Sequence, residues 1–269
     1  MFIPFGFMKT PEAGGDADAN AFISAVQGGG DTLTATEQSA IQTLVADLKT
    51  AGVWNKCDAI YPFVGGTASA HKWNLKNPVD TDAGFRLTFT GTWTHDANGA
   101  KSDGADTNYA DTYWNVVADS SNDAHHVFKY ATIPSTTGCG YDGQGGSPYL
   151  IMGTCTALEW FSGNATNTSG GSRTGGYAQG ILRTSSTNVH FYRYLNSNQG
   201  AGWNVAQTNT TAVGSITSAN YTLGKINNTG FGCDDTYGFY TLGETMAQTE
   251  FADLYDAAHT FNTTLGRDV

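Results

Sequence analysis

Carboxylates are the residues in this chain most obviously equipped for chemistry. Cleaving a glycosidic bond takes two facing carboxyl groups, one acid and one nucleophile or base. On a β-strand, positions i and i+4 share a face and can supply that pair. The five glutamates are Glu12, Glu37, Glu159, Glu244 and Glu250, and no two lie close together on an expected strand. Glu37 stands at capping-box spacing from Thr34, and Glu250 falls in a C-terminal helical pattern. Glu159, in ALEWFSGN, is a lone candidate acid whose simpler reading is a solvated strand residue. No enzymatic activity is expected.

Nucleophilic catalysis has no better footing. The chain holds no G-x-S-x-G elbow, and His71, His95, His125, His126, His190 and His259 are scattered away from any nucleophile signature. His125 and His126 are neighbours on an expected strand and so point to opposite faces, a poor metal pair. Oxygen ligands are denser in HDANGAKSDGADTNYAD. There Asp96, Asn98, Asp103 and Asp106, with Asp111 beyond, make calcium the candidate metal. Their spacing departs from the EF-hand pattern, so a polar β loop is the competing reading. GCDDTYG adds a second acidic pair, Asp234 and Asp235. The four cysteines, Cys57, Cys139, Cys155 and Cys233, include no C-x-x-C pair. They suit buried thiols or one or two bridges rather than zinc.

Aromatic rings offer binding rather than catalysis. Trp73, Trp93, Trp114, Trp160 and Trp203 could stack on sugars or fill a core. The loop YLNSNQGAGWN is the place to look for a ligand-facing ring, with Trp203, Tyr192 and Tyr194 as candidate carbohydrate contacts.

The elements that position these residues can be inferred from periodicity. The 269 residues include 34 glycines and 6 prolines, a composition suited to many short strands joined by turns. Residues 1–20 form an arm whose apolar Phe2, Ile3, Phe5 and Phe7 suit docking into a partner; residues 21–56 are a helical lead-in. Within it, Thr34 and Glu37 form a capping box, Ile41, Leu44, Val45 and Leu48 share one face, and Gly52 ends the helix. From residue 57 onward the chain is a β-sandwich with a closing C-terminal helix. FRLTFTG alternates Phe85, Leu87 and Phe89 with polar residues, and five later segments behave alike. GCGYDGQGGSP and SGNATNTSGGSRTGG are taken as turns. In the closing helix Phe251, Leu254, Tyr255, Ala258, Phe261 and Leu265 share a face, behind a second capping box at Thr245 and Gln248.

Net charge is −11, from 24 acidic and 13 basic residues, which argues against nucleic-acid and anionic-membrane partners. No stretch approaches the ~20 apolar residues of a membrane span. The first twenty residues lack the basic leader and long apolar segment of a secretory signal, so use without export is expected.

Two phrases carry a resemblance. SAIQTLVADLKTAGVWNKCDAIYPFVGGTASAHKWNLKNPVDTDAGFRLTFTGTWTHDANGAKSDGADTNYADTYWN and the closing FADLYDAAHTFNTTLGRDV, with its Leu-Gly-Arg, resemble a module of bacteriophage virion proteins. That module is a concanavalin A-like, LamG-like jelly roll of tail-fibre and other structural proteins, and the resemblance runs from about Phe22 to the C-terminus. It implies a jelly roll between an N-terminal helical segment and a C-terminal helix. It also implies a place on a virus particle as a tail, fibre or capsid-decoration component assembled in the host cytoplasm. Other virion proteins, reached through the arm, would be the partners; a homotrimer would suit a fibre, and a host glycan is a further candidate ligand. No catalytic residues come with the resemblance. Within it, Gly65-Gly66 is expected to allow a tight crossing, and His71, Trp73 and His95 to fasten helix to sheet.

Overall fold

The computed structural model describes residues 14–121, 123–133, 140–145, 149–154, 157–163, 165–170, 175–195, 204–210, 214–227 and 232–267. The chain opens with two helices, α1 (Ala17–Gly28) and α2 (Ala35–Thr50). α1 therefore starts inside the stretch assigned to the arm. Strands follow in the order β1 (Cys57–Tyr61), β2 (Thr88–Thr90), β3 (Trp93–Asp96), β4 (Gly99–Ser102), β5 (Tyr109–Asp111), β6 (His125–Ile133) and β7 (Gly140–Gln144). They continue as β8 (Tyr149–Thr154), β9 (Ala157–Gly163), β10 (Ala165–Gly170), β11 (Gly175–Arg183), β12 (Val189–Leu195), β13 (Asn204–Asn209), β14 (Thr222–Leu223) and β15 (Thr236–Glu244). Single-turn helices α3 (Ala68–His71) and α4 (Val116–Asp119) interrupt them, and α5 (Gln248–Thr264) closes the fold.

The strands form two antiparallel sheets. One is eight-stranded, ordered β13-β12-β11-β6-β15-β4-β3, with β1 sharing an edge of β15; the other is seven-stranded, ordered β10-β9-β8-β7-β14-β5-β2. The larger sheet is covered on both faces, so its central strands are apolar at both parities. On β6, Phe128 and Tyr130 face the helices with Ile60, Leu182 and Phe239, while Val127 and Ala131 face the second sheet with Tyr177, Ile181 and Leu242. The order is thus helices, large sheet, small sheet. Each fully buried Leu, Ile or Phe contributes about 1.5–3 kcal/mol to such a stack. A register shift between Tyr237 and Phe239 turns these two residues of β15, otherwise of equal parity, to opposite faces.

The helix signals hold where they rest on local chemistry. The Thr34–Glu37 capping box forms, and Gly52 (φ 75°) ends α2 with Val53 donating its N–H to the Leu48 carbonyl at 2.9 Å. Lys49 bridges Asp16 and Asp18 at 2.7 and 2.6 Å, tying the end of α2 to the start of α1. The Thr245–Gln248 cap does not form: α5 is capped at Ala247, whose N–H donates to the Glu250 carboxylate at 2.6 Å. That is half a capping box, since alanine lacks a side-chain oxygen. Both long polar stretches taken as turns contain strands, β7 in one and β10 in the other. No described helix is long and apolar enough to cross a membrane.

Candidate functional site

Three arrangements stand out among the described residues. The first lies between the sheets. Alternation along β6 puts Lys129 on the same face as Val127 and Ala131, aimed at the second sheet with its side chain wholly buried. Its ammonium donates to Asp142 Oδ2 on β7 at 2.7 Å and to Asp235 Oδ2, just before β15, at 3.0 Å. Two tyrosines complete the shell: Tyr177 donates its hydroxyl to Asp235 Oδ2 at 2.5 Å, and Tyr237 donates to Asp142 Oδ1 at 2.5 Å. The Gly224 N–H also donates to Asp142 Oδ1, at 2.8 Å.

Burial holds the Asp142 carboxyl above the usual carboxylate range, although the Lys129 ammonium pulls the other way. Burial also disfavours the Lys129 ammonium, but Asp142, Tyr177 and Asp235 outweigh it and keep the lysine protonated. One lysine and two carboxyls are electrically neutral when Asp142 carries a proton, the arrangement a water-free interior favours. Losing one partner of such a cluster strands the other charge, at about 3–5 kcal/mol. Cys233 is buried beside Asp235, and its thiol is pushed up by that burial and by the neighbouring carboxylate.

The second arrangement joins the two ends of the fold. Arg267 follows Gly266 (φ 69°) after α5 and turns back, donating Nη1 to the Phe63 carbonyl at 2.9 Å and Nη2 to the Pro62 carbonyl at 3.2 Å. Beside it, Glu37 caps α2 through one carboxylate oxygen and accepts the Gly65 N–H through the other at 2.9 Å. The Phe63 ring meets His71 edge-on at 5.7 Å, and His71 Nδ1 lies 3.0 Å from His95 Nδ1. Burial, with His95 and Arg267 adding to it, pushes His71 down to about 3, so this imidazole is neutral. Of the residues expected to fasten helix to sheet, His71 of α3 and His95 of β3 meet here; Arg267, Glu37 and Phe63 add a joint that the sequence did not suggest.

The third arrangement is on the outer face of the small sheet. Ala110 of β5 points into the inter-sheet core, so Tyr109 and Asp111 on either side point outward and are half-buried. Asp111 Oδ1 accepts the Tyr113 N–H at 2.8 Å and an Asn220 amide hydrogen at 3.1 Å. The Tyr113 hydroxyl donates to Thr88 at 3.0 Å, and the Lys225 ammonium lies 4.8 Å from the centre of the Tyr109 ring. Two rings, a carboxylate, an amide and an ammonium thus share one surface. Such a surface can hydrogen-bond and stack a polar ligand.

Of the residues expected to contact a sugar, Tyr192 is the one whose side chain lies among the described residues. Tyr192 is a correction: it is 3% exposed, packed against Phe251 of α5 with ring centres 4.9 Å apart, so it offers no face to a sugar. Its side chain lies on the face of the sheet that the helical layer covers. Tyr194 lies on the same strand, its side chain outside the described set, and Trp203, Phe2, Ile3, Phe5 and Phe7 lie outside the described residues.

The calcium ligands are a second correction: they do not converge, and each carboxylate is engaged by a backbone N–H. Asp96 accepts the Asn98 N–H at 2.7 Å at the tip of the β3–β4 hairpin, Asp103 accepts the Ala105 N–H at 2.9 Å, and Asp106 accepts the Gly232 N–H at 2.7 Å. Among the described residues no three metal-binding side chains converge. Cys57 and Cys233 are buried, whereas Cys139 and Cys155 lie outside the described residues. Trp114 is buried and donates its indole N–H to Asp58 at 2.9 Å, and Trp73 is 7% exposed, so both serve the core.

Sequence reasoning left Lys129 and Asp142 unremarked. The available signal was a lysine at the apolar parity of HHVFKYAT; Asp142 was hidden in a glycine-rich stretch.

No protein-family model matches the chain, and no curated protein matches it. Solved structures are similar in fold. A GH54 α-L-arabinofuranosidase soaked with a cyclic sulfate inhibitor superposes with a TM-score of 0.55 at 8% identity, over 81% of this chain and 65% of that one. Domain 4 of a GH43 extracellular arabinanase from Geobacillus stearothermophilus, in complex with arabinotriose, gives 0.43 at 12% identity over 74% and 98%. A Trypanosoma rangeli sialidase mutant displaying trans-sialidase activity gives 0.45 at 13% identity over 85% and 39%. The chain spans just under two thirds of the arabinofuranosidase. At these identities the likeness concerns the fold: this chain is a mostly β protein of two antiparallel sheets with a few helices.

Proposed function

We propose that the chain is a non-enzymatic structural protein of a bacteriophage particle, a tail, fibre or capsid-decoration component built on a concanavalin A-like jelly roll. The observation that carries this reading is the contact of Arg267 with Pro62 and Phe63. The two phrases that resemble virion modules, AIYPFVGG and the closing Leu-Gly-Arg, lie more than 200 residues apart yet make one structural joint. A shared module is expected to keep such a joint as a unit, whereas chance likeness of short phrases would not pair them. The apolar N-terminal arm then docks the domain on a neighbouring virion protein. The test is assembly of particles with a chain lacking residues 1–14. The truncated domain should fold with unchanged circular dichroism and be missing from purified particles; incorporation at the normal level refutes docking through the arm.

A carbohydrate-binding role is the second reading, and the outer face of the small sheet favours it. Tyr109, Asp111, Tyr113 and Asn220 present the mixed ring and polar chemistry that sugars require. The two readings are compatible, since an exposed virion component can contact host glycans. Glycan-array binding that disappears in Tyr113→Ala supports it; a flat array for the intact chain removes it.

A further inference from the structure

Lys129, Asp142 and Asp235 are more than an ion cluster, and we infer that they form a covalent amide between the sheets, linking Lys129 Nζ to Cγ of Asp142. This goes beyond the structural role proposed above and does not depend on which particle the chain belongs to.

Four features meet at one carboxyl group. The prospective nucleophile sits 2.7 Å from Oδ2 of Asp142, with both side chains fully buried. Water, which would drive amide hydrolysis and solvate the charges, is excluded from this position. Oδ1, the oxygen that becomes negative on attack, already receives two hydrogen bonds, from the Tyr237 hydroxyl at 2.5 Å and the Gly224 N–H at 2.8 Å. Preorganised donors of this kind stabilise a tetrahedral oxyanion. Asp235 Oδ2 lies 3.0 Å from the same ammonium and is held by Tyr177, so a proton acceptor is in place. Burial also favours the protonated Asp142 carboxyl, the form that can lose its hydroxyl.

The step balances without a co-reactant. Lys129 passes a proton to Asp235, leaving three neutral groups in a medium that disfavours charge. The amine then attacks Cγ of Asp142, and the developing charge on Oδ1 rests on Tyr237 and Gly224. As the carbonyl reforms, the C–Oδ2 bond breaks. Oδ2 already carries a proton, so one proton from Asp235 lets it depart as water, and the attacking nitrogen passes its second proton to Asp235, which ends as the neutral acid. No oxidation or reduction occurs. Because the ammonium is the resting form, bond formation is slow and follows folding.

The resulting bond would join β6 of the large sheet to β7 of the small one, where side-chain packing and hydrogen bonds such as that from Tyr237 to Asp142 otherwise hold the sandwich. Mechanical resistance of this kind suits an exposed part of a particle.

Intact-mass spectrometry of the denatured full-length chain tests the inference. The expected result is a mass one water below the sequence mass after incubation of the folded protein. Digestion should give a branched peptide joining the Lys129 and Asp142 segments. Asp142 precedes Gly143, and an aspartyl–glycine succinimide also loses one water. A deficit that persists in Lys129→Met, with no branched peptide in the unmutated chain, is the succinimide and overturns the inference. A folded chain at its full sequence mass after prolonged incubation overturns it too. Asp235→Asn should fold and stay at full mass, and Asp142→Asn should lose one ammonia in place of water. The branched peptide is read on the unmutated chain, so a variant that fails to fold leaves the test intact.

Discussion

Arg267 donates a hydrogen bond to the carbonyl of Phe63, a residue held in a left-handed backbone conformation. Phe63 has a left-handed backbone, φ 47°, which costs a bulky residue about 1–3 kcal/mol. Its carbonyl accepts the Arg267 guanidinium at 2.9 Å, and Arg267 is 8% exposed although it lies beyond the last helix. Burial pushes Arg267 down to about 10, so it remains a cation at neutral pH. Its neutralising environment includes Glu37, the same carboxylate that caps α2 and binds Gly65.

Replacing Arg267 is therefore expected to loosen both ends of the fold together. Arg267→Met removes two charge-assisted hydrogen bonds to buried carbonyls and should cost about 2–4 kcal/mol. Arg267→Lys should recover less than half of this, since one ammonium does not match the fork that spans Pro62 and Phe63. Urea denaturation at pH 7 measures both. A loss below about 0.5 kcal/mol for the methionine variant would mean that the clamp carries no stability.

Local chemistry was legible in the sequence, and long-range chemistry was not. The Thr34–Glu37 cap and Gly52 rest on residues close in sequence, the buried face of α5 repeats at three- and four-residue spacing, and all form. β10 was missed because ATNTSG carries no apolar alternation; it lies at the edge of its sheet and is recruited by pairing with β9. Tyr192 lies next to the loop that suggested a ligand, but nearness in sequence does not tell which face of a strand is covered. The Lys129 cluster draws on three segments, with Asp235 more than 100 residues beyond Lys129. No spacing rule would have gathered them.

Acid should weaken the fold through its buried histidines. Burial pushes His71 and His125 down to about 3 and His126 to about 4, against an ordinary 6.5. A depressed folded value means that the unfolded chain binds the proton more readily. The stabilisation is present above pH 6.5 and is lost as pH falls toward the folded values, at about 1.4 kcal/mol per pH unit for each histidine. Asp58 opposes them: burial raises it to about 6, so its contribution is lost as pH rises through that value. His95 and His190 are also lowered by burial, and Asp142 and Asp47 raised, so five histidines against three carboxyls leave a net loss on acidification from pH 7 to pH 5. His126→Gln, which can keep the bonds to Glu244 and Thr241, should flatten the slope. Unfolding free energies measured across this range check the sign, and stability independent of pH would contradict it.

The described thiols should be inert until the protein unfolds. Burial pushes Cys57 up to about 12 and Cys233 well above the usual thiol range, and neither is accessible. At pH 8 a maleimide should label neither in the native chain and both in denaturant, as read by peptide mapping. Rapid native labelling of Cys233 would show that the inter-sheet core opens, and would undercut the water-free setting of Lys129.

Gly65 and Gly66 look equivalent in the sequence, yet their substitutions should differ. Both have positive φ, 86° and 69°, so alanine at either position carries a backbone cost of about 1–2 kcal/mol. At Gly66 a Cβ would find its nearest neighbour at 3.5 Å, an ordinary contact. At Gly65 it would lie 2.7 Å from the Cβ of Ala70 and 3.3 Å from Leu33, where α3 crosses the lead-in. Neither neighbour is the end of a long flexible side chain, so the backbone itself must shift, adding about 1–3 kcal/mol. That shift also strains the 2.9 Å bond from the Gly65 N–H to Glu37, which couples the crossing to the cap of α2. Gly66→Ala should therefore remain folded with a modestly lowered Tm, while Gly65→Ala should be the more severe by at least about 1 kcal/mol. Parallel thermal melts decide it; equal losses would mean that backbone conformation alone, and not the tight crossing, demands glycine here.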